Sequence, residues 1–318
     1  MSIIKYPEVK WSIPVLFSND EYILSVSRVM KRLGLPNPLT YTYGMVPSLW
    51  TGGRHSSVRT QDKKIISHVL EKVIEAGSIP TFTMSRYDIE ESELNDEFCN
   101  WLLDFGVAHG CNFIMTSDLL YNHIKSRYPE AKCVASVLKP IYELDKQSLS
   151  ETDFYNMLLD KFDRVVVRPE YSLDTLLKDY DKLSDLSKIE VLVNQVCVPN
   201  CKVAIEEHLS IPKADWSEFN NEKFEVKTVC PRSILEKNKS KRVHLDYPTL
   251  MFTEEQINNI VYNIGIKNLK LQGRNYRKFD TTTMINNYIF ENIGEFQNIS
   301  PLIWGTSEKI KETGVLVV

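Results

Sequence analysis

The stretches RVVVRP, residues 164–169, and IEVLVN, residues 189–194, are nearly unbroken apolar runs dominated by Val, Ile and Leu. A strand with one wet face alternates apolar and polar residues. A run without that alternation belongs to a strand covered on both faces, as in parallel sheets. Similar β-rich runs recur in both directions from this pair. IPVLFS (13–18), LTYTYG (39–44), IPTFTM (79–84), NFIMTS (112–117) and CVASVL (133–138) precede it, and NLKLQG (268–273) follows. Among the intervening segments, 20–34, 62–77 and 95–110 have helical periodicity, with Gly34, Gly77 and Gly110 where each helix should stop. Eight strands alternating with helices predict an α/β fold, a (β/α)8 TIM-like barrel. A doubly wound open sheet is the competing architecture, but no Gly-x-Gly-x-x-Gly follows any of these strands.

The 318 residues read as one barrel domain, with a Lys-, Asn- and Glu-rich insertion at about 209–253 between strands seven and eight. Hydrophobic residues make up 43% and charged residues 25%, ordinary for a globular chain with a sizeable core. A net charge of −4 gives no general attraction to nucleic acid or an anionic membrane. No apolar run approaches the length of about 20 residues that spans a bilayer. The opening MSIIKYPEVKW lacks the features of a signal peptide, so the expected address is cytoplasmic, with no membrane partner. Homo- and hetero-oligomers both remain open.

Barrel enzymes place their chemistry at the C-terminal ends of the strands. Here those ends carry Arg86, Lys139, Arg168, Asn194 and Arg274, which are expected to face one cavity, with Glu170 just after Arg168. Glu170 is the best single acid or base, and Arg168 stands beside it. The stretch GMVPSLWTGGRH (44–55) follows strand two. Trp50 there is suited to stacking on a substrate ring, and Arg54 to clamping a carboxylate or phosphate. Gly52 and Gly53 would let the backbone approach a ligand closely. GRNYR (273–277) is basic and aromatic, a composition that suits single-stranded RNA or a phosphate, although a solvated loop accounts for it as well.

Six cysteines are too few for a disulfide scaffold. Cys99 lies within a helix, and Cys111 and Cys133 at the starts of strands four and five, so these three read as packing residues. Cys197 and Cys201 lie just beyond strand seven, and Cys230 in the insertion that leaves the same face. Three converging thiolates suit an iron–sulfur cluster short of one protein ligand, or a zinc site completed by His208. Unmetallated thiols and a Cys–His nucleophile pair are the alternatives.

Three segments resemble the U-thirty-two (collagenase-like) peptidase family. They are FDRVVVRPEYSLDTL, IEVLVNQVCVPNC and GIKNLKLQGRNY, which occur in family order over about 162–276. The family's Gly-Arg-Cys-x-x-Ser element and the extra C-terminal domain of its longer members are missing. The resemblance implies a TIM-like barrel. It also implies either peptidase activity or oxygen-independent hydroxylation of RNA bases or quinone precursors, with a 4Fe–4S cluster and prephenate as oxygen donor. By motif, Cys197 and Cys201 would be cluster ligands, and Cys230 fits less closely. The resulting expectation is a metal- or iron–sulfur-dependent enzyme acting on a small anionic or aromatic substrate or a nucleic-acid base. A hydrolase, with zinc or Glu170 activating water, and a non-catalytic barrel with structural zinc that binds a ligand or partner are the alternatives.

Overall fold

Among the described residues, nine helices and ten strands position the site. The strands are β1 (Lys10–Ile13), β2 (Tyr41–Gly44), β3 (Ile79–Met84), β4 (Asn112–Met115), β5 (Lys132–Ala135), β6 (Arg164–Val167), β7 (Ile189–Leu192), β8 (Asn194–Gln195), β9 (Leu250–Met251) and β10 (Asn268–Lys270). In the computed structural model, all but β8 and β9 pair in parallel and close into a barrel of order β1-β10-β7-β6-β5-β4-β3-β2. Residues 3–52, 58–195, 201, 203–224, 250–273 and 278–291 are described. The (β/α)8 expectation therefore holds.

The helices are α1 (Asp20–Leu33), α2 (Lys63–Glu75), α3 (Glu97–Ala108), α4 (Asp118–Arg127), α5 (Lys139–Glu143), α6 (Glu151–Lys161), α7 (Ala204–Phe219), α8 (Glu254–Asn258) and α9 (Lys278–Ile289). Gly34, Gly77 and Gly110 have φ of 67°, 79° and 68°, the left-handed geometry expected of them. After β6 the chain makes a series of short helical turns from Pro169 to Lys188 in place of one long helix.

Alternation along β7 shows why its run looked unbroken. Ile189, Val191 and Val193 join the large core under the helices, while Leu192 joins Tyr43, Ile114, Val134 and Val166 in a separate inner cluster. Both faces are covered, so apart from Glu190 on the inner one the strand carries apolar residues throughout.

Three expectations need correction. The first strand is Lys10–Ile13, ahead of the expected 13–18. Pro14 follows it, and Val15–Phe17 form a buried turn in which Phe17 has φ of 66°. The 16-residue helix α7 runs on to Phe219, into the stretch from about 209 where irregular chain was expected. Its internal Pro212 and polar buried face masked the helical pattern. Strand seven also leaves the wall early: β8 pairs antiparallel with β9, Asn194 opposite Met251.

Candidate active site

In each (β/α) unit the C-terminal end of a strand lies near the N-terminus of the next helix. Acidic residues favour that first helical turn because they complement the helix dipole. The cations expected to bind substrate meet these carboxylates. Lys139, 1% exposed, donates to Thr116 O (3.0 Å), Asp118 Oδ1 (2.8 Å) and Glu143 Oε1 (2.7 Å). That occupies all three of its donors. Asp118 opens α4 and also holds Lys161 at 2.7 Å. Arg168 Nε donates to Glu151 Oε1 at 2.7 Å, in the first turn of α6. Arg86 binds Asp88 Oδ1 at 3.1 Å and Glu93 Oε1 at 2.7 Å, and donates to Leu49 O. Burial alone would lower the pKa of Arg86, but its hydrogen bonds to Glu93 and Asp88 outweigh burial and raise it. Arg168 is raised against the pull of burial in the same way, through Glu151.

Arg86, Lys139 and Arg168 thus lie at one end of the barrel, but they are held in three separate sets of ion pairs. Asn194 is also engaged. Its amide donates to Gln272 O at 2.8 Å and accepts from Gln272 N at 2.6 Å, extending the β7–β10 seam beyond the strand ladder. Trp50, expected to stack on substrate, is fully buried instead. Its Nε1 donates to Glu93 O at 3.0 Å, and His123 packs edge-on at 5.6 Å. Gly52 approaches the chain's own backbone: a Cβ there would lie 2.1 Å from Ser85 C. Glu170 is half-buried in the turn after β6, and its charge acts on Arg168. Arg54, Arg274, Cys197 and Cys230 lie outside the described residues.

The four described cysteines divide cleanly. Cys99, Cys111 and Cys133 are buried, and Cys201, between β8 and α7, is half-buried. Burial pushes the Cys111 and Cys133 thiols up to about 12 and Cys99 higher still. Packing thiols with such values are inert as ligands near neutral pH. Among the described residues, no group of three His, Cys, Asp or Glu side chains is arranged to hold a metal.

The barrel interior carries a second polar feature that sequence reasoning missed. Glu190 on β7 is fully buried and lies 2.7 Å from Arg164 Nε on β6 and 3.9 Å from Lys270 Nζ on β10. Arg164 sits over the Tyr41 ring at 3.7 Å and Lys270 over the Tyr43 ring at 3.9 Å. Burial would raise the Glu190 carboxyl, but Arg164, Lys270 and Ser12 together bring it below the usual range. The available signal was a charge inside each of three apolar runs, Glu190 in IEVLVN, Arg164 in RVVVRP and Lys270 in NLKLQG, each at an inward position.

Helix α7 lies on the same end of the molecule. It packs on α5, and Lys213 Nζ reaches Asp88 Oδ2, after β3, at 2.6 Å. Arg59, after β2, contacts Asp215 Oδ1 at 3.2 Å and Glu218 Oε2 at 2.6 Å. Burial would raise the Asp88 carboxyl, but hydrogen bonds from Lys213 and Arg86 outweigh it and lower the pKa.

No family model matches the chain, and no curated protein matches it. One solved structure that aligns with it is the Bacillus cereus spore cortex-lytic enzyme SleL. The identity is 12% and the TM-score 0.37, over 88% of this chain and 74% of the other. Among the described residues, no helix is long and apolar enough to cross a membrane.

Proposed function

We propose that the chain is an enzyme of the kind its resemblance to the U-thirty-two peptidase family implies. Its reaction centre would be held over the barrel mouth by the thiolates of Cys197, Cys201 and Cys230. The observation that supports this reading is the contrast among the described cysteines. Three are sealed in the core, whereas Cys201 is half-buried on the chain that leaves β7 at the catalytic end of a closed barrel. An accessible thiol in that position suits a soft-metal ligand, and a buried one does not.

A 4Fe–4S cluster bound there would supply a redox-active iron with an open position, as oxygen-independent hydroxylation needs. Zinc is the other metal suited to these donors. The chain's own groups would bind and orient the substrate, a small anionic or aromatic molecule or a nucleic-acid base. Arg86, Lys139 and Arg168 are already neutralised by carboxylates. Substrate anion recognition is therefore assigned to Arg54 and Arg274.

The deciding experiment is purification without oxygen, followed by iron, sulfide and zinc analysis of wild type and Cys201→Ser. The expected result is about four irons and four sulfides per chain, with the content reduced in the variant. Zinc in place of iron would identify the other metal. Protein free of all three elements, or full content in Cys201→Ser, rejects the reading.

A further inference from the structure

We propose that α7 is a roof latched across the barrel mouth, and that access to the mouth requires its ion pairs to part. The strand order carries the argument. β7 and β3 stand four places apart in the ring of eight, on opposite walls. The chain leaves β7 and, by Lys213, is bonded to Asp88 behind β3. Asp215 and Glu218 are held by Arg59 behind β2, and the helix touches α5 behind β5. Helix α7 thus has contacts behind β5, β3 and β2, three places spread around the C-terminal face. The helix itself is about 24 Å long at 1.5 Å per residue.

The way α7 is held suits a part that moves. A permanently docked helix buries an apolar stripe. The buried residues of α7 are His208, Pro212 and Asp215, spaced along one face, while Ile205 is left 44% exposed. Charge contacts take the place of apolar area, and the partly exposed ones weaken with salt. Pro212 removes one backbone hydrogen bond from the middle of the helix and marks where it can bend. Elements with little buried apolar contact open at lower free energy than the core. Arg59 and Lys213 act by holding the roof, so they are positioning residues.

The roof also bears on the substrate, and here the inference rests on the proposed reaction centre. Parting the latch enough for a small molecule needs less displacement of α7 than seating a nucleic-acid strand across the mouth. The roof therefore selects the small anionic or aromatic substrate over a base within a polynucleotide.

Hydrogen exchange read by mass spectrometry tests the roof without any assumption about metal. In Lys213→Gln and Arg59→Gln, the peptides of Ala204–Phe219 should exchange several-fold faster than in wild type, while those of β4 stay unchanged. Raising wild type to about 1 M salt should have the same effect, because the screening length falls to about 3 Å. Labelling of Cys201 by a thiol reagent should accelerate in step. If α7 exchanges at one rate in all three proteins and at both salt concentrations, there is no latch. If Cys201 labelling fails to follow the helix, the helix does not gate the mouth. For the substrate, a fluorescent single-stranded RNA of about twelve nucleotides should show no binding by anisotropy. Binding that protects α7 from exchange would overturn the selection. Metal content is measured separately, so loss of the reaction centre and loss of the roof give different results.

Discussion

Glu190 is the side chain whose removal the barrel should tolerate least. It is fully buried between Arg164 and Lys270. Breaking a buried pair by deleting one partner costs about 3–5 kcal/mol, because the remaining charge keeps its desolvation penalty. Glu190→Ala should lose stability on that scale in urea unfolding. A loss below about 1 kcal/mol would mean that the cations are neutralised some other way. The pH dependence has a definite sign. The folded carboxyl lies below its usual range, so the stability it lends is fully present above roughly pH 4.3, the unfolded value. That stability is lost as pH falls through the lower folded value. The acid limb of a stability–pH curve should therefore flatten in Glu190→Gln. An acid limb identical to that of wild type would show that the residue is not ionised in the fold.

At the scale of elements, two local contacts fix how the β2–α2 connection enters and leaves. Gly52 passes so close to the end of β3 that an added Cβ would sit 2.1 Å from Ser85 C and 2.2 Å from Arg86 N. Both neighbours are backbone and cannot rotate aside. Gly52→Ala should therefore destabilise by about 1–3 kcal/mol, the usual cost of overpacking. A melting temperature equal to that of wild type would show that the connection can shift freely. Further along, the Asp62 side chain caps α2 by accepting from Lys64 N at 2.8 Å and Ile65 N at 3.3 Å. Asp62→Ala should cost about 1 kcal/mol and Asp62→Asn much less, since Asn keeps an acceptor oxygen. Equal losses in the two variants would point to charge as the cause. The acidic first turns of α4 and α6 explain why the expected anion clamps are occupied. Asp118 and Glu151 stand 21 and 17 residues before Lys139 and Arg168 in the sequence, at helix starts where the dipole favours acids.

Across the whole molecule, thiol chemistry should report the fold. Cys99, Cys111 and Cys133 are buried with raised pKa values, so a thiol reagent at pH 8 should leave them untouched until the barrel unfolds. Cys201 should react in the native state. Native labelling of any of the other three, located by mass spectrometry, would contradict the described core. The sequence by itself determined the eight strands, to within a few residues for all but the first, and the glycine stops of three helices. These features arise from local periodicity and backbone preference, which a run such as IEVLVN or the Gly34 position expresses without reference to the rest of the chain. It also separated the core cysteines from Cys201, because position relative to a strand fixes which end a residue occupies. Only the tertiary structure decided where side chains at that end point and what meets them. The engagement of Lys139 by Asp118 and Glu143, the burial of Trp50 against His123, and the Asn194 clip to Gln272 each join parts of the fold that local pattern does not pair. Glu190 between Arg164 and Lys270, and α7 tied to the wall opposite its origin, depend on barrel closure, which brings distant residues into contact and leaves no trace in local periodicity.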